Sequence, residues 1–156
     1  MKKIFILFVF ILMSLGINAQ NNAIKTGPVA LAFGNANIAF EHQFADKMSF
    51  LLKGSYLYGF KVGDDRVDGY SVGAGFRYYL KQKKNLAGFY VQPQAKYSSV
   101  GYINVAAILG YQFRWDGGFV LDLGVGPSKY IVVGDGESLT VPLIWPVMTL
   151  AIGYAF

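Results

Sequence analysis

The chain has 156 residues, 54% of them hydrophobic and only 15% charged, with 17% aromatics, 19 glycines and no cysteine. This is one domain's length, too apolar on average for an ordinary water-soluble domain, and the missing cysteines exclude disulfide frameworks, thiolate metal centres, thiol nucleophiles and a lipid-bearing cysteine. The formal charge of +5 falls to +3 when Lys2 and Lys3 leave with the leader described next, an excess too small to argue for nucleic acid.

The first stretch, "MKKIFILFVFILMSLGINAQ", has two lysines, an apolar run from Ile4 to Met13, and a short polar segment ending at Ala19. This pattern predicts a secretory signal peptide over 1–19, cleaved before Gln20. The apolar run is well short of the ~20 residues that span a bilayer, and no other segment offers 18 apolar residues. Residues 20–156 are then expected to form one domain whose membrane role, if any, comes from strands.

Eight segments of that domain carry strand patterning, at 26–33, 36–44, 48–60, 70–80, 89–98, 102–115, 119–132 and 142–156, with Gly, Asn, Asp and Lys clusters between them. Within a strand, alternate side chains point to opposite faces. In the fourth segment Tyr70, Val72, Ala74, Phe76, Tyr78 and Leu80 alternate with Ser71, Gly73, Gly75, Arg77 and Tyr79. The fifth sets Phe89, Val91 and Tyr97 against Gln92, Gln94 and Lys96, and the sixth sets Val105, Leu109 and Phe113 against Asn104, Gln112 and Arg114. One set is apolar and often aromatic; the other is small or polar.

Two solvents could read that pattern. A secreted lipocalin-like barrel, a binder of small ligands, turns the apolar set inward, whereas an outer-membrane barrel turns it to lipid. Side-chain size favours lipid, because faces of Gly, Ala, Ser and Thr make a poor water-facing surface but suit the crowded interior of a narrow barrel. A base such as Arg77 on the lipid face would also cost ~2–4 kcal/mol near the midplane. The expected fold is therefore all-β, an eight-stranded antiparallel up-and-down transmembrane β-barrel.

With the amino end in the periplasm, the connections at 45–47, 81–88 and 116–118 fall on the periplasmic side, and those at 34–35, 61–69, 99–101 and 133–141 point outward. Aromatics gather near both ends, Phe44, Phe113, Trp115, Phe119 and Phe156 at one and Tyr56, Tyr58, Tyr70, Tyr97 and Trp145 at the other, as interfacial girdles do. Pro93 and Pro127 sit inside strands of a closed barrel, so bulges are expected there. Pro142 and Pro146 suggest that the last strand becomes regular near Val147.

The leader, the "IAFEHQFADKMSF" hairpin, the "GFRYYL" and "GFYVQPQAKY" strands, "GYQF" and "LGVGP" together resemble the small outer-membrane barrel proteins of Bacteroidota, a family of unknown function similar in architecture to OmpX and the OmpA membrane domain. The resemblance covers nearly the whole mature chain and implies an eight-stranded barrel. It supplies no catalytic residues. By the same resemblance, the alternation of Leu150, Ile152, Tyr154 and Phe156 matches the C-terminal signal read by the barrel-insertion machinery.

The inward set predicts a polar network of Glu41, Gln43, Lys53, Arg77, Gln92, Gln94, Lys96, Gln112, Arg114 and Asp122. It is expected to be a paired plug, with a narrow anion-preferring path as the alternative. Asp64, Asp65, Asp68, Asp135 and Glu137 fall on outward loops, where oxygen ligands at such spacing could hold a cation and bridge to lipopolysaccharide phosphates. The ordinary reading is a solvated loop. The single histidine, His42, falls on the outward set near the periplasmic rim, away from its neighbour Glu41. No nucleophile elbow, phosphate-binding glycine loop or metal-spaced histidine cluster is present. The expectation is a non-enzymatic outer-membrane protein without cofactor or metal, monomeric, with lipid, lipopolysaccharide and the insertion machinery as partners and a structural or surface-interaction role.

Overall fold

Alternation over seven long segments and one short one closes a single sheet on itself. The computed structural model describes residues 21–62, 65–133 and 144–156, without the side chains of 59–62, 65–67 and 82–84. The strands are β1 (Asn22–Thr26), β2 (Asn35–Ala45), β3 (Met48–Val62), β4 (Asp65–Lys84), β5 (Ala87–Ser98), β6 (Tyr102–Arg114), β7 (Phe119–Val132) and β8 (Trp145–Ala155), with one short helix, α1 (Pro28–Ala32), between β1 and β2. Each strand pairs antiparallel with the next, and β1 returns to β8, so the order β1 to β8 is a closed up-and-down barrel. Closure is completed by Phe156, whose N–H donates to Asn22 O at 2.8 Å while Asn22 N–H donates to Phe156 O at 3.1 Å. The expected signal peptide over 1–19 lies outside the described residues.

The first strand departs from expectation. The segment 26–33 is not a strand: β1 ends at Thr26 and Pro28 opens α1. Proline lacks the N–H that a first helical turn leaves unused, and its fixed φ suits that position. Leu31 N–H then donates to Gly27 O at 3.1 Å, closing the turn. Two of the three long connections are also shorter than expected. The ladder between β3 and β4 continues to Val62 opposite Asp65, and that between β4 and β5 to Lys84 opposite Ala87.

Neither Pro93 nor Pro127 makes a bulge. Pairing lapses on one side of each, between Gly75/Gln94 and Tyr78/Val91 and between Ala106/Ser128 and Leu109/Val125, and resumes in unchanged register. A proline removes one donor but adds no residue, so nothing forces the strand to slip. The register shifts instead lie near strand ends, at Gln43/Ala45, Leu57/Phe60, Tyr79/Lys81 and Gln82/Lys84.

The two faces separate as the alternation requires. Phe76, Phe89, Leu109 and Met148 project outward with 61, 59, 59 and 82% of their surface exposed, while Glu41, Arg77, Gln112 and Asp122 are buried. Around the end that carries the termini, Phe89, Tyr111, Phe113, Trp115 and Phe119 form a chain of ring contacts with centroids 4.5–6.0 Å apart. Lys129 is the charge on the outer face of β7, near the end away from the termini.

Small inward residues make room for large polar ones. Gly110 and Gly124 face each other across β6 and β7, and a Cβ at Gly124 would lie 2.7 Å from the Tyr90 hydroxyl. At Gly153 a Cβ would come 2.7 Å from Cγ of Lys25. The barrel tolerates big buried side chains because their neighbours have none.

Candidate functional site

Six strands aim one buried cluster at the barrel axis. Lys25 comes from β1, Glu41 from β2, Arg77 and Tyr79 from β4, Tyr90 and Gln92 from β5, Gln112 from β6 and Asp122 from β7. Lys25 Nζ donates to Glu41 Oε2 at 2.6 Å, Asp122 Oδ2 at 2.7 Å and Gln112 Oε1 at 2.9 Å. Arg77 Nη1 reaches Glu41 Oε2 at 3.3 Å and also Gln112 Oε1, and Nη2 reaches Asp122 Oδ2 at 2.8 Å. Its Nε and Nη2 both donate to Gln92 Oε1, at 2.9 and 2.6 Å.

The carboxylates are as fully occupied. Glu41 Oε1 accepts from the Tyr79 hydroxyl at 2.9 Å and from Ser49 Oγ. Asp122 Oδ1 accepts from the Tyr90 hydroxyl at 2.6 Å. The guanidinium of Arg77 lies 3.6 Å from the centre of the Tyr90 ring, a cation–π contact in a water-poor place. Two cations and two anions thus neutralise each other, and every N–H of Lys25 and Arg77 has an acceptor. A buried charge is tolerable only when paired and hydrogen-bonded in this way.

Replacing Tyr90 by phenylalanine keeps the ring beneath Arg77 and deletes the bond to Asp122. Because that bond is to a charged acceptor, the expected loss is about 1.5 kcal/mol of barrel stability, read from the urea midpoint of unfolding.

Below the cluster, the turn between β4 and β5 folds across the barrel mouth. Leu86, at φ 54°, is fully buried there. Its N–H donates to Gln43 Oε1 at 3.1 Å and its carbonyl accepts from Gln112 Nε2 at 2.8 Å. Arg114 donates to Asn85 O at 2.9 Å on the same turn. Above the cluster, Gln92 Nε2 donates to Gln94 Oε1 at 2.8 Å, and Lys53 Nζ donates to the same oxygen at 2.5 Å. Lys53, Gln94 and Lys96 line a cavity of about 240 Å³ on the outward side of the plug.

The structure therefore gathers Glu41, Arg77, Gln92, Gln112 and Asp122 into one network, puts Gln43 and Arg114 at the lower mouth, and puts Lys53, Gln94 and Lys96 in the upper chamber. Sequence reasoning missed Lys25, which like Arg77 bridges both acids. Ala23 and Lys25 share a face between Ile24 and Thr26, a parity that was readable, but the segment was left outside the first predicted strand. With Lys25 the described interior holds five bases against two acids, one more base than expected.

The acidic loops are mostly beyond description. Asp64, Asp135 and Glu137 lie outside the described residues, Asp65 is described only as a backbone partner of Val62, and Asp68 is exposed. Among the described residues no group of three or more His, Cys, Asp or Glu could hold a metal ion. His42 lies on the outer face, with Nδ1 2.7 Å from Asn22 Oδ1 and its ring against Phe50 at 5.5 Å. It does not meet the interior cluster.

Residues 5–132 match the family described as protein of unknown function (DUF3575). The chain belongs to that family. No curated protein and no solved structure matches it.

Proposed function

We propose that this DUF3575 member is a non-enzymatic integral outer-membrane β-barrel, exported by a signal peptide, similar in architecture to OmpX and the OmpA membrane domain, with a structural or surface-interaction role in the cell envelope. The observation that carries the reading is the inverted polarity of the barrel. Large apolar side chains such as Phe76, Leu109 and Met148 cover the outside, while a neutralised charge cluster fills the inside. Water-soluble proteins rarely expose so continuous an apolar band, and a lipid solvent rewards this arrangement. Lipid and lipopolysaccharide are its proposed surroundings and the monomer its proposed state. Membrane fractionation with heat-modifiable gel migration tests the reading, and a chain that stays soluble without detergent, as a lipocalin-like binder would, overturns it.

A narrow pore is the second reading, favoured by the surplus of inward bases. The saturated cluster and the buried Leu86 across the lower mouth weigh against conduction. Planar-bilayer conductance that disappears when Arg77 or Arg114 is changed would favour the pore.

The alternation of Leu150, Ile152, Tyr154 and Phe156 is proposed to serve as the insertion signal, and it has a mechanical side. Deleting Phe156 removes both backbone bonds that fasten it to Asn22. The expected outcome is a lower yield of folded, membrane-inserted barrel. An unchanged yield in a quantitative membrane blot would refute it.

A further inference from the structure

The wall of the barrel is incomplete at one place. β1 stops where Thr26 faces Ile152, and its pairing with β2 stops where Lys25 faces Ala39. Beyond those points Asn35 to Ile38 of β2 and Trp145 to Ala151 of β8 have no strand between them. The gap is bridged by Gly27, whose N–H donates to Asn37 Oδ1 at 2.8 Å, and covered by the five residues of α1. The 240 Å³ cavity opens against this seam: its lining combines the inward Lys53, Lys96 and Asn104 with Ala30 of α1 and the outward-facing Ile38 and Met148.

The chamber has polar capacity that the protein does not use. Asp122 also lines the cavity, but Lys25 and Arg77 occupy both acids of the described interior, so Lys53 and Lys96 ion-pair with no carboxylate among the described residues; the hydrogen bond of Lys53 goes to the neutral Gln94. Asn104 is 4% exposed, and its Nδ2 donor has no partner among the described residues. The Oδ1 acceptor of Asn35, on the same cavity, is also buried without one. An orphaned buried donor or acceptor is costly unless something fills it. At ~30 Å³ per water the space takes roughly eight waters, enough for a small ligand with its solvent.

We propose that this chamber is a binding site for a phosphate-type oxyanion carrying at least one hydroxyl, held by Lys53, Lys96 and the Asn104 amide, with its O–H given to Asn35. Two sources share that chemistry. Free phosphate would enter the chamber as an ion; the headgroup of an anionic lipid would enter through the seam, with its chains against Ile38 and Met148 on the outer face.

The test uses the full mature barrel in zwitterionic detergent, titrated with inorganic phosphate at constant ionic strength while the Asn104 side-chain amide is followed by NMR. The parallel arm compares vesicles of phosphatidylcholine with and without phosphatidylglycerol in buffer that contains no inorganic phosphate. Saturable shifts with phosphate, weakened at least about tenfold in K53Q/K96Q because two charge-assisted contacts are lost, support the site with a free anion as ligand. Shifts only with phosphatidylglycerol, lost in the same variant, support it with a headgroup as ligand. No response in either arm, or an equal response in the variant, overturns it. K53Q/K96Q removes charges that ion-pair with no carboxylate among the described residues and is expected to fold; should it not, K96Q alone carries the same comparison. The phosphate arm needs no bilayer, so a barrel that fractionates with membranes yet responds in neither arm refutes the site and leaves the membrane reading standing.

Discussion

Replacing Arg77 by methionine is expected to lower the stability of the barrel by about 3–5 kcal/mol, the cost of leaving a buried counter-charge unpaired. The side chain is 1% exposed and makes ion pairs with Glu41 and Asp122 at 3.3 and 2.8 Å. Without it, Lys25 alone faces two carboxylates, and Gln92 Oε1 loses both the bonds it accepts from Arg77. The control is R77M/E41Q, which removes one charge of each sign. If the loss comes from uncompensated charge, the double variant recovers part of it, because the amide oxygen of a glutamine at residue 41 still accepts from Lys25 while its NH2 donates to the Tyr79 hydroxyl oxygen. Urea unfolding followed by tryptophan emission measures both. A double variant worse than the sum of the singles would mean that packing, not charge balance, sets the cost.

The second expected result separates the two possible surroundings of the barrel. Val125 lies near the middle of β7, opposite Leu109 on β6 and Met148 on β8, and points outward. In a bilayer, Val125→Arg places a guanidinium near the hydrocarbon midplane and costs about 2–4 kcal/mol. In water the same substitution on an exposed wall changes stability by no more than about 0.5 kcal/mol. Unfolding from phospholipid vesicles reads the difference. A wild-type midpoint in V125R would remove the argument for lipid from the outer face.

The sequence exposed the faces of the strands more readily than it exposed which side chains meet. In β5, Phe89, Val91 and Tyr97 against Gln92, Gln94 and Lys96 left one consistent parity, since a base or amide in lipid is too costly to be placed by chance. Parity says nothing about position along the axis. Lys25 and Asp122 touch because the strands are staggered around the barrel, and that stagger is a property of all eight strands together. Helix α1 was hidden for another reason: Val29, Leu31 and Phe33 repeat with period two, and five residues are too few to display a period of 3.6. Lys25 was lost with it, because the first strand was read from residue 26 onward.

The closure between Asn22 and Phe156 has a consequence for how the molecule comes together. Seven of the eight pairings join neighbouring strands, so their contacts are close in sequence and belong to the fast class of folding events. The pairing of β1 with β8 is the exception, bringing residues from opposite ends of the domain into register over four residue pairs. The ring can lose that pairing without breaking a hairpin, and its seam is then the expected first opening in native-state hydrogen exchange, with amides near Ala23 and Ala155 exchanging ahead of those at the centre of β5 and β6.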